Sequence, residues 1–178
     1  MRVYIKEVEG LIIPERAHES DTGFDIYATS DPIILGKKYS ANYWESIDYI
    51  YYKTNVFLNL GANEKVYVNL RPRSSNRKMN LLLSNSVGLC DNGYTGEYIA
   101  SFQYQFQPDD LRIGENLNNK ILGTINYDKI YQKGDKIGQL EFLKNSVDVK
   151  FILTTPEEFA EMEIKSDRKS GGHGSTGK

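Results

Sequence analysis

Residues 71–78 carry the densest set of phosphate-binding side chains in the sequence, with four cations and two hydroxyls beside the rigid Pro72. Forked arginine donors and hydroxyls are the groups that grip a polyphosphate. A solvated basic loop would have the same composition, and for this segment taken alone that alternative stays open. The chemistry that the segment offers is the binding of a phosphate chain.

A second group of residues surrounds Asp91. The pair Asn92-Gly93 accepts the positive φ angles of a tight turn and therefore predicts a β-hairpin with Asp91 at its tip. Tyr94 follows three residues after Asp91, so the carboxylate could act as a general base beside a surface on which a ring packs. An ordinary hairpin whose aspartate favours the turn is the alternative, and these residues alone do not decide between the two.

The C-terminal segment 166–178 differs in composition, with four glycines, three serines and no apolar side chain in thirteen residues. This composition predicts a flexible tail. Glycine lets backbone N–H groups converge on an anion, and Ser175 and Thr176 add hydroxyl donors. We therefore expect one domain over residues 1–165, followed by a flexible tail that can engage an anion.

The elements that position these groups are predicted to be strands. The sequence has thirteen tyrosines and many valines and isoleucines, which suit a pleated and half-buried surface. Alternating segments predict strands of about six residues at 3–8, 55–60, 65–70 and 101–107. The fold class is therefore all-β.

Three further stretches complete this organisation. A short helix is predicted at 155–162, where Thr155 and Glu158 form a capping box and Pro156 occupies the first helical position. The stretches 36–52 and 107–132 are long for connections in a compact β domain. Both are predicted to be insertions.

Composition and charge exclude several classes of function. The 178 residues include 22 Lys and Arg against 24 Asp and Glu, which argues against a partner as anionic as long nucleic acid. The longest aliphatic runs, such as 81–83, are far shorter than the ~20 residues that cross a bilayer. Residues 1–20 lack the apolar centre of a signal peptide, so we expect a cytoplasmic protein. The single Cys90 and two histidines do not supply the usual zinc ligands.

These segments, in this order, resemble the five motifs of the trimeric dUTPases, the deoxyuridine 5′-triphosphate nucleotidohydrolases. The segments that resemble motifs one to five are residues 22–28, 72–75, 88–97, 134–140 and 168–177. Asn85 also stands six residues before Asp91, as in the family. The departures from the commonest family residues are Ser75, Gly138, Lys169 and His173, and an imidazole still stacks on a pyrimidine.

The resemblance implies a jelly-roll β-sandwich or barrel that assembles as a homotrimer with active sites shared between subunits. It also implies hydrolysis of dUTP to dUMP and diphosphate with Mg²⁺, which limits uracil incorporation into DNA and supplies dUMP for dTMP synthesis. In this correspondence Asp91 is the base that orients water for attack on the α-phosphorus. A phage or viral origin would place the enzyme in the host cytoplasm.

The resemblance assigns expected roles to the other site residues. The residues expected to hold the phosphates are Arg73, Ser74, Ser75 and Gln139. The residues expected to close over the γ-phosphate and uracil as a lid are Arg168, His173, Ser175 and Thr176. The residues expected to read the base are Asn85, Leu89, Cys90 and Ile99, with Tyr94 under the deoxyribose. Asp25 is expected to support the water shell of Mg²⁺, which is expected to have no direct protein ligand.

Two rival functions follow from the same residues. By the same resemblance, a dCTP deaminase shares the fold, but that enzyme needs a catalytic Glu ten residues after the position of Asp91. This sequence has Ser101 there. The other rival is a dUTP-sensing interaction protein whose 107–132 insertion binds a protein partner. A surface elaboration without a partner is the simpler interpretation of that insertion.

Overall fold

The computed structural model describes residues 2–61, 65–113, 120–145 and 151–158. By its internal contacts the chain divides into two units, residues 1–146 and residues 147–178. The strands described in the first unit are β1 Tyr4–Ile5, β2 Phe24–Tyr27, β3 Ile33–Lys38, β4 Trp44–Tyr52, β5 Leu58–Asn59, β6 Val66–Arg71, β7 Leu81–Leu83, β8 Gly88–Cys90, β9 Ala100–Tyr104, β10 Leu111–Ile113, β11 Ile121–Gly123 and β12 Lys136–Lys144. Its described 3-10 helices are Ser74–Lys78, Pro108–Asp110 and Tyr127–Lys129.

Two antiparallel sheets form the body of the first unit. One sheet has the order β2-β12-β6-β8, and the other runs β10-β11-β4-β9-β7 with β3 also paired to β4. Val68, Leu70 and Leu140 of the first sheet and Tyr52 and Phe102 of the second are buried in one hydrophobic core. The curled sheets match the jelly-roll fold, which confirms the predicted all-β class.

The predicted strands lie where the alternating segments are, but two of them are shorter. β6 and β9 occupy most of their predicted ranges. β1 and β5 have two residues each because they pair only with each other, at Tyr4↔Asn59 and Ile5↔Leu58, among the described strands. An alternating sequence therefore becomes a strand only over the part that finds a partner.

Residues 36–52 do not form the long connection that the sequence suggested. β3 and β4 form a hairpin over most of this stretch, and β4 also pairs with β9 and β11. Trp44, Ile50 and Tyr52 of β4 are buried, so this nine-residue strand belongs to the core. That the stretch is an insertion relative to related proteins stays a prediction.

The described part of the 107–132 stretch has its own structure. β10 and β11 pair antiparallel, and Asp110 anchors the base of their hairpin. The buried Asp110 carboxylate accepts hydrogen bonds from the Tyr104 hydroxyl at 2.9 Å and from the Gln107 backbone at 2.8 Å. The stretch is thus tied to β9 by a buried polar contact.

In the second unit, the described residues are 151–158. The predicted capping box is confirmed, because the Thr155 backbone donates to Glu158 Oε2 at 2.9 Å and the Glu158 backbone donates to Thr155 Oγ1 at 3.2 Å. The rest of the predicted helix and the predicted domain boundary at 165/166 lie outside the described residues. Across the described chain, no helix is long and apolar enough to span a membrane.

Candidate active site

The Asp91 loop, residues 85–99, leads the chain from one sheet to the other. Its first strand, β8, pairs with β6 at Val68↔Cys90 and Leu70↔Gly88. A turn follows, closed by a hydrogen bond from the Tyr94 backbone to the Asp91 carbonyl at 3.0 Å. The loop then runs into β9 of the second sheet.

The prediction of a tight hairpin at Asn92 and Gly93 is therefore wrong, although the chain does turn there. The strands on either side of Asn92 and Gly93 belong to different sheets and do not pair with each other. Neither residue is among the described positions with a positive φ angle. A chain that crosses between sheets does not need the twist-matched turn that joins two paired strands.

The Asp91 loop lines most of an open cavity of about 260 Å³. The residues predicted to serve the base and the reaction that line it are Asn85, Leu89, Cys90, Asp91, Tyr94 and Ile99. The lining residues that the sequence analysis did not single out are Leu70, Gly88, Glu97 and Tyr98. Asp91 is exposed, so water reaches its carboxylate. The cavity offers an apolar wall with a few polar groups, as small-molecule sites do.

Tyr94 is held in place by its neighbours within the loop. Its hydroxyl donates to the Glu97 carbonyl at 2.8 Å, and its ring meets the buried Tyr98 ring edge-on with 5.5 Å between centroids. A Cβ at Gly96 would lie 2.6 Å from the Tyr94 hydroxyl, so glycine is needed there for this ring position. The exposed face of Tyr94 is therefore a fixed surface in the cavity wall.

The return of the loop is anchored by Glu97. Its carboxylate accepts hydrogen bonds from the backbone N–H groups of Thr54 at 3.0 Å and Asn55 at 2.9 Å. Cys90 is the last residue of β8, and burial, helped by the nearby Asp91 charge, raises the pKa of its thiol. Cys90 is therefore a neutral packing residue at neutral pH rather than a nucleophile.

A second cluster of predicted site residues is centred on Asp25, which is 2% exposed. Lys136 Nζ donates to one of its carboxylate oxygens at 2.9 Å, and Gln139 Nε2 donates to the other at 3.0 Å. Arg73 Nε lies 3.1 Å from the same oxygen as Gln139 and forms an ion pair without hydrogen-bond alignment. The cluster has one carboxylate and two cations, so it has a net charge of about +1 and favours an anion.

The backbone explains why these side chains converge. Asp25 and Gln139 are directly opposite each other on β2 and β12. The register of this pair shifts between Lys136 and Gly138, and this irregularity allows both Lys136 and Gln139 to reach Asp25 although they are three residues apart. Gly23 leaves room for this arrangement, because a Cβ there would lie 3.1 Å from Gln139 Cβ. Strict alternation along β12 would have separated the two side chains.

The partners of Asp25 determine its ionisation. Burial alone raises the pKa of Asp25, but hydrogen bonds from Lys136 and Gln139 and the charge of Arg73 outweigh it and hold the pKa below the ordinary value of 3.8. The hydrogen bond to Asp25 in turn raises the pKa of Lys136. Both partners are therefore charged at neutral pH, and Arg73 forms an ion pair with the same carboxylate.

Asp25→Asn is expected to lower the free energy of unfolding at pH 7 by about 1–3 kcal/mol, because Arg73 and Lys136 lose their buried counter-charge. A lowered native pKa stabilises the fold above the ordinary value of 3.8, and this contribution is lost as pH falls through the native pKa. Urea unfolding of the wild type and of Asp25→Asn between pH 7 and pH 3 should show that their difference in free energy of unfolding becomes smaller as the pH falls. A difference that stays constant over this range would contradict the assigned ionisation.

The structure thus brings the predicted residues together in two groups. Among the described residues, the cavity lining of the Asp91 loop does not include the phosphate-binding set Arg73, Ser74, Ser75 and Gln139. Ser74 and Ser75 begin the 3-10 helix that follows Arg73. The predicted lid residues Arg168, His173, Ser175 and Thr176 lie outside the described residues. Lys136 was missed as a site residue because only the irregular register of β12 reveals its contact with Asp25.

The fold is a jelly roll, and its two groups of predicted site residues form a cavity beside Asp91 and a positively charged cluster around Asp25. No protein-family model matches the chain. It is 30% identical over 167 residues to the deoxyuridine 5′-triphosphate nucleotidohydrolase of Clostridium tetani, a match that covers 93% of this chain and 89% of that protein. The corresponding Clostridium acetobutylicum enzyme is 27% identical over 97% of this chain and 94% of its own length.

Solved structures support the same fold. The dUTPase of Staphylococcus bacteriophage 80alpha, solved with dUpNHpp, has a TM-score of 0.66 at 20% identity, with 99% of each chain covered. The dUTPase of phage phi11 of S. aureus has a TM-score of 0.57 at 19% identity, covering 88% of this chain and 99% of that one. The chain belongs to the deoxyuridine 5′-triphosphate nucleotidohydrolase family, and its general activity is that of a dUTP diphosphatase.

Proposed function

We propose that the chain hydrolyses dUTP to dUMP and diphosphate, with Asp91 orienting the attacking water, and thereby limits uracil incorporation into DNA and supplies dUMP for dTMP synthesis. The observation that carries the proposal is the cavity of the Asp91 loop, in which Asn85, Asp91 and Tyr94 surround one space. A carboxylate at the rim of a base-sized cavity can hold a water molecule next to the phosphate that follows the sugar. The product then leaves as a monophosphate.

The base is read by an open strand edge. β8 is the terminal strand of its sheet among the described residues, so one edge of Gly88–Cys90 has no strand partner there. The main-chain groups of Leu89 and Cys90 that face the open edge, the Ile99 carbonyl and the Asn85 amide offer donors and acceptors to the uracil edge, while the Ile99 N–H donates to the Glu97 carbonyl. Cytosine would leave some of these groups unpaired, whereas the methyl group of thymine is rejected by steric closure.

The sugar and the phosphates meet different surfaces. Tyr94 packs under the deoxyribose, and its fixed position leaves no room for a 2′-hydroxyl. Arg73, Ser74, Ser75 and Gln139 bind the phosphate chain, to which the positive cluster around Asp25 is attracted. These cations neutralise charge that develops on the phosphoryl oxygens during attack on the α-phosphorus.

The donor set around Asp25 fits an outer role for Mg²⁺. A carboxylate has about four acceptor positions; Asp25 uses two of them for hydrogen bonds from Lys136 and Gln139, and Arg73 Nε, 3.1 Å away without hydrogen-bond alignment, covers a third. One position remains to accept a hydrogen bond from a metal-bound water, in keeping with a cation that gives up its water reluctantly. When bound with the triphosphate, Mg²⁺ supplies further neutralisation of phosphate charge. A mutant form of the phage phi11 dUTPase coordinates a structural Mg(II) ion.

The separation of the two groups supports a homotrimer in which one subunit contributes the base cavity and a neighbour contributes the phosphate-binding residues. A single cavity of this chain holds the first group without the second, as far as the described residues go. The lid, residues 168–177, would then come from a further subunit. A complete site requires assembly in this arrangement.

Subunit sharing predicts complementation. An Asp91→Asn chain mixed and reassembled with a chain lacking residues 168–178 should recover part of the wild-type activity, because mixed trimers contain sites with an intact Asp91 and an intact lid. The measurement is diphosphate release from dUTP by the mixture and by each parent alone. A monomeric mass in solution with full activity would contradict the shared site.

Substrate selectivity tests the proposed function as a whole. Diphosphate release should be fast with dUTP and slower by orders of magnitude with dTTP, dCTP and UTP, because each of these differs at a group that the cavity is proposed to read. Ammonia release from dCTP is not expected, since Ser101 of β9 stands where a deaminase requires a carboxylate. Equal rates with all four nucleotides would overturn the base and sugar assignments.

A second function, binding of a protein partner by the 107–132 stretch, is favoured by one observation. Ile113 and Ile121 are paired across β10 and β11, and they are 71% and 63% exposed. Adjacent exposed isoleucines on a hairpin suit a contact with another protein. Pull-down from host lysate with the wild-type chain and with an Ile113→Ser, Ile121→Ser double variant tests it, because deleting the whole stretch would remove the buried Leu122, Ile130 and Tyr131. Identical captures would count against a partner.

A further inference from the structure

The 3-10 helix Ser74–Lys78 is supported from the core by Tyr131. Tyr131 is 2% exposed, and its hydroxyl donates to Asn76 Oδ1 at 3.0 Å. The Asn76 amide nitrogen in turn donates to the Leu81 carbonyl at 2.8 Å. The Asn76 side chain, in the middle of the helix, thus accepts one hydrogen bond and donates another.

The Tyr131 ring is fixed by two other core aromatics. It packs edge-on against Tyr52, with 6.1 Å between centroids, and lies 5.7 Å from Phe102. Tyr52 belongs to β4 and Phe102 to β9, so the position of the Tyr131 hydroxyl is set by the six-stranded sheet. Because the Tyr131 ring packs against two core aromatics, its hydroxyl holds Asn76 in a defined position.

The helix needs such support. It has five residues, and Arg73 at its N-cap makes no side-chain capping bond. Short 3-10 segments have poor hydrogen-bond geometry and little stability of their own. The backbone N–H of Asn80, just beyond the helix, also donates to the Lys129 carbonyl at 2.8 Å. The segment that precedes Tyr131 therefore holds the chain after the helix at a second point.

The residues at the start of this helix are those proposed to bind phosphate. Ser74 and Ser75 are its first two residues, and Arg73 precedes them. Tyr131 also lies close to Ser75 and Arg73: burial raises the pKa of its phenol, while a hydrogen bond from Ser75 and the charge of Arg73 oppose the rise. A shift of the helix would therefore move the phosphate-binding groups.

We propose that Tyr131 is a positioning residue for triphosphate binding, acting through the hydrogen bond from its hydroxyl to Asn76. The proposal rests on the proposed function, in which Arg73, Ser74 and Ser75 hold the phosphates. Tyr131 itself touches no substrate in this account. It links the core to the phosphate-binding helix, while the base cavity of the Asp91 loop is built from other residues.

Tyr131→Phe keeps the ring and removes the hydroxyl. We expect it to raise KM for dUTP and the Kd for inorganic tripolyphosphate by about fivefold to tenfold, the loss of roughly one buried hydrogen bond. The Kd for deoxyuridine should stay within about twofold of wild type, since that ligand has no phosphate. Asn76→Ala should give the same pattern, and the double variant should be no worse than Asn76→Ala alone.

Tyr52→Phe is the matched control. The Tyr52 hydroxyl is buried in the same aromatic cluster, where it lies near the Tyr131 backbone but makes no hydrogen bond to the helix Ser74–Lys78. Removing it should leave KM for dUTP and the tripolyphosphate Kd unchanged. Thermal midpoints of all variants, measured alongside, show whether each protein is folded at the assay temperature.

Three results would overturn the inference. The first is wild-type affinity for tripolyphosphate in Tyr131→Phe. The second is a loss of deoxyuridine affinity in Tyr131→Phe as large as its loss of tripolyphosphate affinity. The third is a loss of tripolyphosphate affinity in Tyr52→Phe as large as that in Tyr131→Phe. Failure of the wild-type chain to hydrolyse dUTP would instead overturn the proposed function. The tripolyphosphate comparison would still test Tyr131 in that case, because it requires binding and not turnover.

Discussion

Asp91→Asn is expected to lower kcat for dUTP by a factor on the order of 10² or more, within the usual range for loss of a general base. The amide has nearly the same shape as the carboxylate, and the turn is closed by the Asp91 backbone rather than by its side chain. The loop and its cavity should therefore persist. KM for dUTP should change little, because the carboxylate acts on water and not on the bound nucleotide.

The measurement is steady-state diphosphate release with magnesium at saturating dUTP. Asp48→Asn is the matched control, since Asp48 is an exposed aspartate of β4 outside both clusters. It should turn over at the wild-type rate. Near-wild-type turnover of Asp91→Asn would eliminate the proposed mechanism, whatever the affinity for dUTP.

Deletion of residues 168–178 is expected to lower kcat for dUTP by roughly 10- to 100-fold, in line with the 1–3 kcal/mol that stacking on a base contributes. Arg168, Ser175 and Thr176 are predicted to close over the γ-phosphate while His173 stacks on uracil. Closure excludes bulk water and completes the charge-stabilising surroundings, so turnover should suffer as well as binding.

The same deletion should leave the thermal midpoint nearly unchanged, because the segment contains no apolar side chain with which to stabilise the core. His173→Ala should lose less activity than the deletion, and His173→Phe should retain activity because the stacking surface is kept. A truncated protein that hydrolyses dUTP at the full rate would refute the lid.

The sequence predicted the all-β class, and it grouped the residues near Asp91 that line one cavity, because both depend on local information. Alternation at 65–70 is enough to indicate β6, and the residues around Asp91 are close together in the chain and fold into one loop. The capping box of Thr155 and Glu158 is also local, and it is confirmed. Features of this kind need no knowledge of which strands pair.

The predictions that were wrong or incomplete depended on tertiary pairing. Asn92 and Gly93 suggested a hairpin, but the chain there passes from one sheet to the other. Residues 36–52 were interpreted as too long a connection because their pairing was not visible, yet they contain β4, which pairs with β3, β9 and β11. Lys136 reaches Asp25 only because of an irregular register.

The support of the helix Ser74–Lys78 by Tyr131 was likewise invisible in the sequence. Tyr131 and Asn76 are 55 positions apart, and although Asn76 lies within residues 71–78, nothing in the sequence links it to Tyr131. A tyrosine among thirteen indicates only an aromatic strand or core residue until its hydroxyl is seen to have a partner. Long-range polar contacts of this kind require the folded structure.

The central claim, attack of an Asp91-oriented water on the α-phosphorus of dUTP, is tested most directly by hydrolysis in water enriched in oxygen-18. The products of a single turnover would be separated and weighed by mass spectrometry. Attack on the α-phosphorus places one heavy oxygen in dUMP and none in diphosphate, and Asp91→Asn should slow its appearance on the order of 10²-fold or more. Heavy oxygen in the diphosphate, or labelled dUMP formed at the wild-type rate by Asp91→Asn, would contradict this account.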